Sequence, residues 1–132
     1  MLARQRCLGY EPNMTDERES GWTLGPKYDA NGLVTAVITD EADGTVLMVG
    51  HMNAEALAKS MKSQCVTFFS RSRQRLWQKG ESSGNVLHIV EMRIDCDQDA
   101  IWIIARPQGP TCHTGARSCF YRKVTDGGLE PV

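Results

Sequence analysis

The chain has 132 residues, 41% of them hydrophobic and 23% charged, and a net charge of -1. That is one domain's length with enough apolar residues for a core, and a charge balance that gives no general attraction to nucleic acid or anionic lipid. No apolar run approaches the roughly 18 residues of a membrane helix, and Arg4 and Arg6 lead into no apolar stretch, so neither a membrane span nor a secretory signal is expected. Five cysteines cannot all pair, and disulfides are rare in the cytosol. The expectation is a cytoplasmic protein with reduced thiols, some of them metal ligands.

Residues 1–20 are polar and mixed in charge, which predicts a flexible N-terminal extension with Cys7 a bystander. Residues 21–132 read as a single domain. Leu33 to Thr39 and Thr45 to Met52 predict two strands joined by a turn at Glu41-Ala42-Asp43-Gly44. Asn53 then caps a helix through about Ser63, with Ala54, Leu57, Ala58 and Met61 facing the core. Val66 to Ser70 predicts a third strand, and Leu76-Trp77 the start of its hairpin return. Lys79 to Asn85 is a polar loop bracketed by glycines.

Val86 to Ile94 is the best strand candidate, with Val86, His88, Val90, Met92 and Ile94 on one face. Ile101 to Ile104 predicts a short strand buried on both faces, and Arg106 to Ser118, rich in Gly, Pro and Thr, a loop. Strands outnumber helices and are mostly hairpin-linked. The class is therefore α+β, with mostly antiparallel strands and one main helix.

Chemistry concentrates in Asp95-Cys96-Asp97-Gln98-Asp99. In an extended segment the three carboxylates share one face and Cys96 points away from them. Like charges on one face repel unless a cation sits among them; oxygen ligands suit magnesium, and a thiolate suits zinc. An EF-hand is excluded, because its sixth and twelfth positions would be Ala100 and Arg106. An acidic turn holding no metal is the plain alternative.

Cys112 and Cys119 are spaced more widely than a zinc knuckle. With Cys96 they would supply three thiolates and leave a fourth position open, the arrangement of a catalytic rather than a structural zinc. Buried unreactive thiols are the alternative, and Cys65 is read that way. His113 is open to three readings: zinc ligand, general base beside a metal-activated water, or a loop histidine making a structural hydrogen bond. His88 is read as packed within its strand, and His51 is open. Arg71, Arg73, Arg75 and Lys79, with Ser70, Ser72, Ser82 and Ser83 around them, suit a phosphate. A solvated basic face is the alternative.

Four blocks in this order, Phe69-Ser70-Arg71-Ser72-Arg73, Leu76 to Asn85, Asp95 to Ala100 and Cys112 to Phe120, resemble the phosphoribosyl-AMP cyclohydrolases of histidine biosynthesis. Gly32-Leu33-Val34 and Met48 to Asn53 fit earlier blocks, so the likeness spans roughly residues 30 to 120. His51 stands where that family often has Tyr. The resemblance implies magnesium on Asp95, Asp97 and Asp99, and zinc on Cys96, Cys112 and Cys119, one ion of each per subunit. It also implies a homodimer in which Cys96 comes from the partner chain.

The implied reaction is hydrolytic opening of the adenine ring at the N1–C6 bond of 1-(5-phosphoribosyl)-AMP, giving the formimino-AICAR phosphoribosyl intermediate. Zinc would activate the water with magnesium assisting, His113 would move protons, and Arg71, Arg73, Lys79, Ser82 and Ser83 would bind substrate. Members fused to a pyrophosphohydrolase exist; the chain's end soon after Phe120 predicts that this second activity is missing. Two other classes compete. A zinc-dependent nucleobase deaminase would need His-x-Glu and Pro-Cys-x-x-Cys motifs that the sequence lacks. A non-catalytic zinc binding module would show a closed four-ligand site.

Overall fold

The computed structural model describes residues 17–132. Residues 1–16, including Cys7 and most of the expected extension, lie outside that range. Ten elements follow in order: α1 (Glu17–Ser20), β1 (Val34–Asp40), β2 (Val46–Met52), α2 (Ala54–Ser63), β3 (Thr67–Ser70), β4 (Arg75–Gln78), β5 (Leu87–Ile94), β6 (Ala100–Pro107), β7 (Arg122–Thr125) and β8 (Gly128–Pro131). The main sheet runs β2-β1-β6-β5, and β3-β4 and β7-β8 form separate hairpins. Among the described residues β1 pairs with β6 in parallel, and the other strand pairings are antiparallel. The class is α+β, as the sequence predicts. No helix among the described residues is long and apolar enough to cross a membrane.

Val34, Ala36 and Ile38 of β1, with Ile101, Ile103 and Ala105 of β6, form the buried centre of the sheet. Burying such side chains supplies most of the fold's stability, about 1.5–3 kcal/mol for each large one. The β6 strand is buried on one face only, contrary to the expectation. Trp102 is 41% exposed, its indole N–H donating to Thr39 Oγ1 at 2.7 Å. The strand also continues to Pro107, so Arg106 and Pro107 belong to it and not to the following loop.

The β5 alternation differs as well. A register shift between Ile89 and Glu91 leaves Val90 as an extra residue. A bulge of this kind reverses the phase of the pleat. Leu87 and Ile89 pack on the core before it, and Met92 and Ile94 after it, whereas Val90 is exposed. Strict alternation would place Val90 with Met92 and Ile94.

Helix α2 begins as expected. Asn53 Oδ1 accepts the Ala56 N–H at 2.8 Å, and Gln64 closes the helix in the left-handed region with φ 60. Its buried face, however, is Ala56, Leu57 and Ser60, while Ala54, Ala58 and Met61 are exposed. A polar residue belongs on the buried side because it does hydrogen-bonding work there. Ser60 Oγ donates to Thr67 O at 3.1 Å and accepts the Thr67 N–H at 2.9 Å. The hydroxyl thus fixes β3 to the helix, and the β3–β4 hairpin carries the basic residues.

Candidate active site

The five residues from Asp95 to Asp99 form the turn between β5 and β6 and not an extended segment. The carboxylates converge through turn geometry. Asp95 Oδ1 accepts the N–H groups of Asp99 at 3.0 Å and Ala100 at 3.1 Å, and Gln98 takes φ 60. Carboxylate oxygens of Asp95, Asp97 and Asp99 all lie within 4.8 Å of one another. Hydrogen bonding to Asp97 and Asp95 pushes the Asp99 carboxyl up to about 6, and the same bond to Asp99 holds Asp97 below its usual value. Three carboxylates converging in one turn are the ligand type that a hard cation takes. Cys96 is exposed on the same turn.

Past β6, Cys112 to Cys119 folds on itself. The Cys112 N–H donates to Ala116 O at 3.0 Å and the Gly115 N–H to Cys112 O at 3.0 Å, with Gly115 at φ 92. The two thiols lie near enough to influence each other's titration. Thr114 Oγ1 donates to Cys112 Sγ at 3.0 Å, and that bond lowers the Cys112 thiol pKa. Burial, followed by the neighbouring Cys112, raises that of Cys119. A thiol eased toward thiolate beside a second thiol fits two of zinc's four positions. Cys96 does not join them within one chain: the aspartate group is the only cluster of three or more candidate ligands among the described residues.

What holds this loop in place was not legible as a motif. One guanidinium nitrogen of Arg117 donates to Asp40 Oδ2 at 2.9 Å and to the Asp43 carboxylate at 2.9 and 3.0 Å. Asp43 is held down to about 2 by that contact. Ser118 Oγ donates to Val46 O at 2.6 Å, and the Cys119 N–H to Leu47 O at 2.8 Å. The loop is therefore tied to the β1–β2 turn and along β2. A basic residue inside a cysteine block, with two acids in a distant turn, was the available signal.

Beside the loop lies a cavity of about 550 Å³ lined by His113, Arg73, Lys79, Ser82 and Ser83, together with Arg75 and Trp77. These are four of the five predicted substrate residues and the predicted proton carrier. Gly80, at φ 84, shapes its wall: a Cβ there would run into the backbone of Asn85 and Val86. Lys79 also sits with its ammonium 5.9 Å from the Trp77 ring centre. Arg71 is placed elsewhere. It faces a second cavity with His51, which shares Ser70, Ser72 and Trp77 with the first. Burial, then the Arg71 charge, lowers the His51 pKa. His88 is held by Gln108 Oε1 at 2.9 Å from its Nε2, and Cys65 Sγ lies 3.9 Å from its Nδ1.

Residues 48–121 match the family model described as phosphoribosyl-AMP cyclohydrolase. A protein of that name from Rhizorhabdus wittichii is 64% identical over 115 residues, covering 87% of this chain and 93% of its own. One from Zymomonas mobilis is 53% identical over 119 residues, covering 90% and 96%. One from Rhodopseudomonas palustris is 57% identical over 119 residues, covering 89% and 80%. With the aspartate turn, the cysteine loop and the basic cavity all inside the matched span, the chain belongs to the phosphoribosyl-AMP cyclohydrolase family of hydrolases.

Proposed function

We propose that this chain opens the purine ring of 1-(5-phosphoribosyl)-AMP by hydrolysis of its N1–C6 bond, in the cytoplasm and as a homodimer. The observation that carries the reading is the cavity that joins His113, the neighbour of Cys112, to Arg73, Lys79, Ser82 and Ser83. A substrate with two ribosyl phosphates and a purine needs cationic and hydroxyl donors next to a centre that can activate water. Zinc on Cys112, Cys119 and the partner subunit's Cys96 would supply Lewis acidity toward water, and magnesium on Asp95, Asp97 and Asp99 would orient substrate or water.

The chain's own groups then divide the work. Arg73, Lys79, Ser82 and Ser83 hold a phosphate at the cavity wall, and Arg71 with His51 takes the more distant part of the substrate. The N1 ribosyl substituent makes C6 electrophilic, and water adds there. His113 accepts a proton from that water. When the N1–C6 bond breaks, the proton returns to N1, and the water oxygen remains on C6 as the carboxamide oxygen. Three thiolates would donate much charge to a zinc held there and weaken its Lewis acidity relative to a histidine-held zinc, so a nearby base such as His113 would matter more.

The experiment is an ultraviolet assay on purified protein with phosphoribosyl-AMP, with and without zinc and magnesium. Metal-dependent appearance of the formimino product is expected. Absence of turnover from folded, zinc-loaded protein would overturn the reading.

A further inference from the structure

Gln98 lies between two of the clustered aspartates, yet it is only 5% exposed. It also holds φ 60, a left-handed backbone that a non-glycine residue keeps only when its surroundings impose it. Its side-chain amide is fully engaged. Oε1 accepts the Gly25 N–H at 2.8 Å, and Nε2 donates to Arg18 O at 2.9 Å and Thr23 O at 3.2 Å. The backbone joins in: Gln98 O accepts the Lys27 N–H at 2.7 Å, and the Gln98 N–H donates to Asp95 O at 3.1 Å. Arg18 Nε closes the arm on itself by donating to Gly25 O at 2.8 Å.

The segment from Arg18 to Lys27 is thus built around one buried amide in the metal-type turn. A buried amide left unpaired is costly, so arm and turn must hold their conformations together. Asp97 and Asp99 are the chain neighbours of Gln98, so any rotation of its backbone swings both carboxylates.

We propose that Gln98 is a positioning residue for a divalent cation at Asp95, Asp97 and Asp99, and that the Arg18–Lys27 arm is part of that site's scaffold. The inference rests on the magnesium reading above and assigns work to a segment preceding the recognisable family blocks.

The test uses the full chain with Mn2+ as probe, read by calorimetry and by the ion's paramagnetic resonance. Wild type should bind and Asp97→Asn should not, which establishes the cation site by itself; no binding by wild type would sink both readings. Gln98→Ala and Gln98→Gly should each weaken Mn2+ binding by about tenfold or more. Zinc content should stay unchanged and hydrogen exchange at the Gly25 amide should quicken. Glycine suits the observed φ, so an equal loss in Gln98→Gly assigns the effect to the amide and not to backbone strain. Mn2+ affinity within about twofold of wild type in Gln98→Gly, with the Gly25 amide exchanging faster, would overturn the proposal. A second pair leaves Gln98 in place. Gly25→Pro removes the N–H that Oε1 accepts, whereas Gly25→Ala keeps it, and a Cβ at Gly25 meets nothing within 4 Å. Weaker Mn2+ binding in the proline variant than in the alanine variant supports the proposal, and equal affinities contradict it.

Discussion

In the turn between β5 and β6 three carboxylates meet within 4.8 Å, all supplied by one short stretch of one chain. The loop from Cys112 to Cys119 supplies two thiols, and the third candidate ligand, Cys96, stays exposed on the other turn. The first site takes all three ligands from one turn, shaped by a left-handed residue and two backbone N–H groups on Asp95. Its tie to a distant segment runs through Gln98 to the Arg18–Lys27 arm. The second depends on distant contacts, namely Arg117 to the β1–β2 turn and Ser118 and Cys119 to β2. Damage to the cysteine loop's ties should leave the aspartate turn intact. A site assembled from distant parts should fail when any of its ties is cut.

The sharpest break of this contrast comes from removing one ligand on each side. Cys112→Ser should abolish zinc retention and drop turnover below about 1% of wild type, since two remaining ligands do not hold the ion, while Mn2+ binding at the aspartate turn persists. Asp97→Asn should do the reverse, losing Mn2+ and keeping zinc; metal analysis of both variants checks this. A smaller effect is expected when the loop's tie alone is cut. Arg117→Gln should weaken zinc binding by about tenfold in a chelator competition, and Arg117→Lys should recover part of it. Unchanged zinc affinity in Arg117→Gln would show that the loop holds itself.

The smallest effect is set by protons. Asp99 has its carboxyl raised from 3.8 to about 6. In the metal-free protein the stabilisation that Asp99 gains from its proton is complete below the unfolded value and is lost as pH rises through about 6. A cation replaces that proton only above this range. The rise in Tm on adding magnesium should therefore grow from about pH 5 to about pH 7 and then level off. A rise independent of pH would exclude Asp99 as a ligand.

Much of this was legible in the sequence where local rules govern. Asn53 capped its helix, the glycine-closed turn joined β1 to β2, and β3 and β4 paired as a hairpin. The misreadings share a cause: a local pattern was extended through a point where a distant contact decides. Val90 is extruded because β5 must keep register with β6. Ser60 faces inward because β3 needs a partner for Thr67, which turns Ala54, Ala58 and Met61 outward. The aspartates were expected to share a face by strand alternation and instead converge through a turn that Gln98 closes. Arg71, expected beside Arg73 and Lys79, lines the adjoining cavity with His51, and the two cavities share Ser70, Ser72 and Trp77. The β7–β8 hairpin carries no strong alternation and so leaves no signal in the sequence.

Sharing of the cysteine site between chains is tested most directly by mixing two inactive variants, Cys96→Ser and Cys112→Ser, after unfolding and refolding them together. If Cys96 serves the partner's Cys112 and Cys119, half the dimers are mixed and each mixed dimer holds one intact site. Activity should then return to about one quarter of wild type. If Cys96 serves its own chain, every site in the mixture lacks a ligand, and activity that stays at the level of the separate variants would contradict the account.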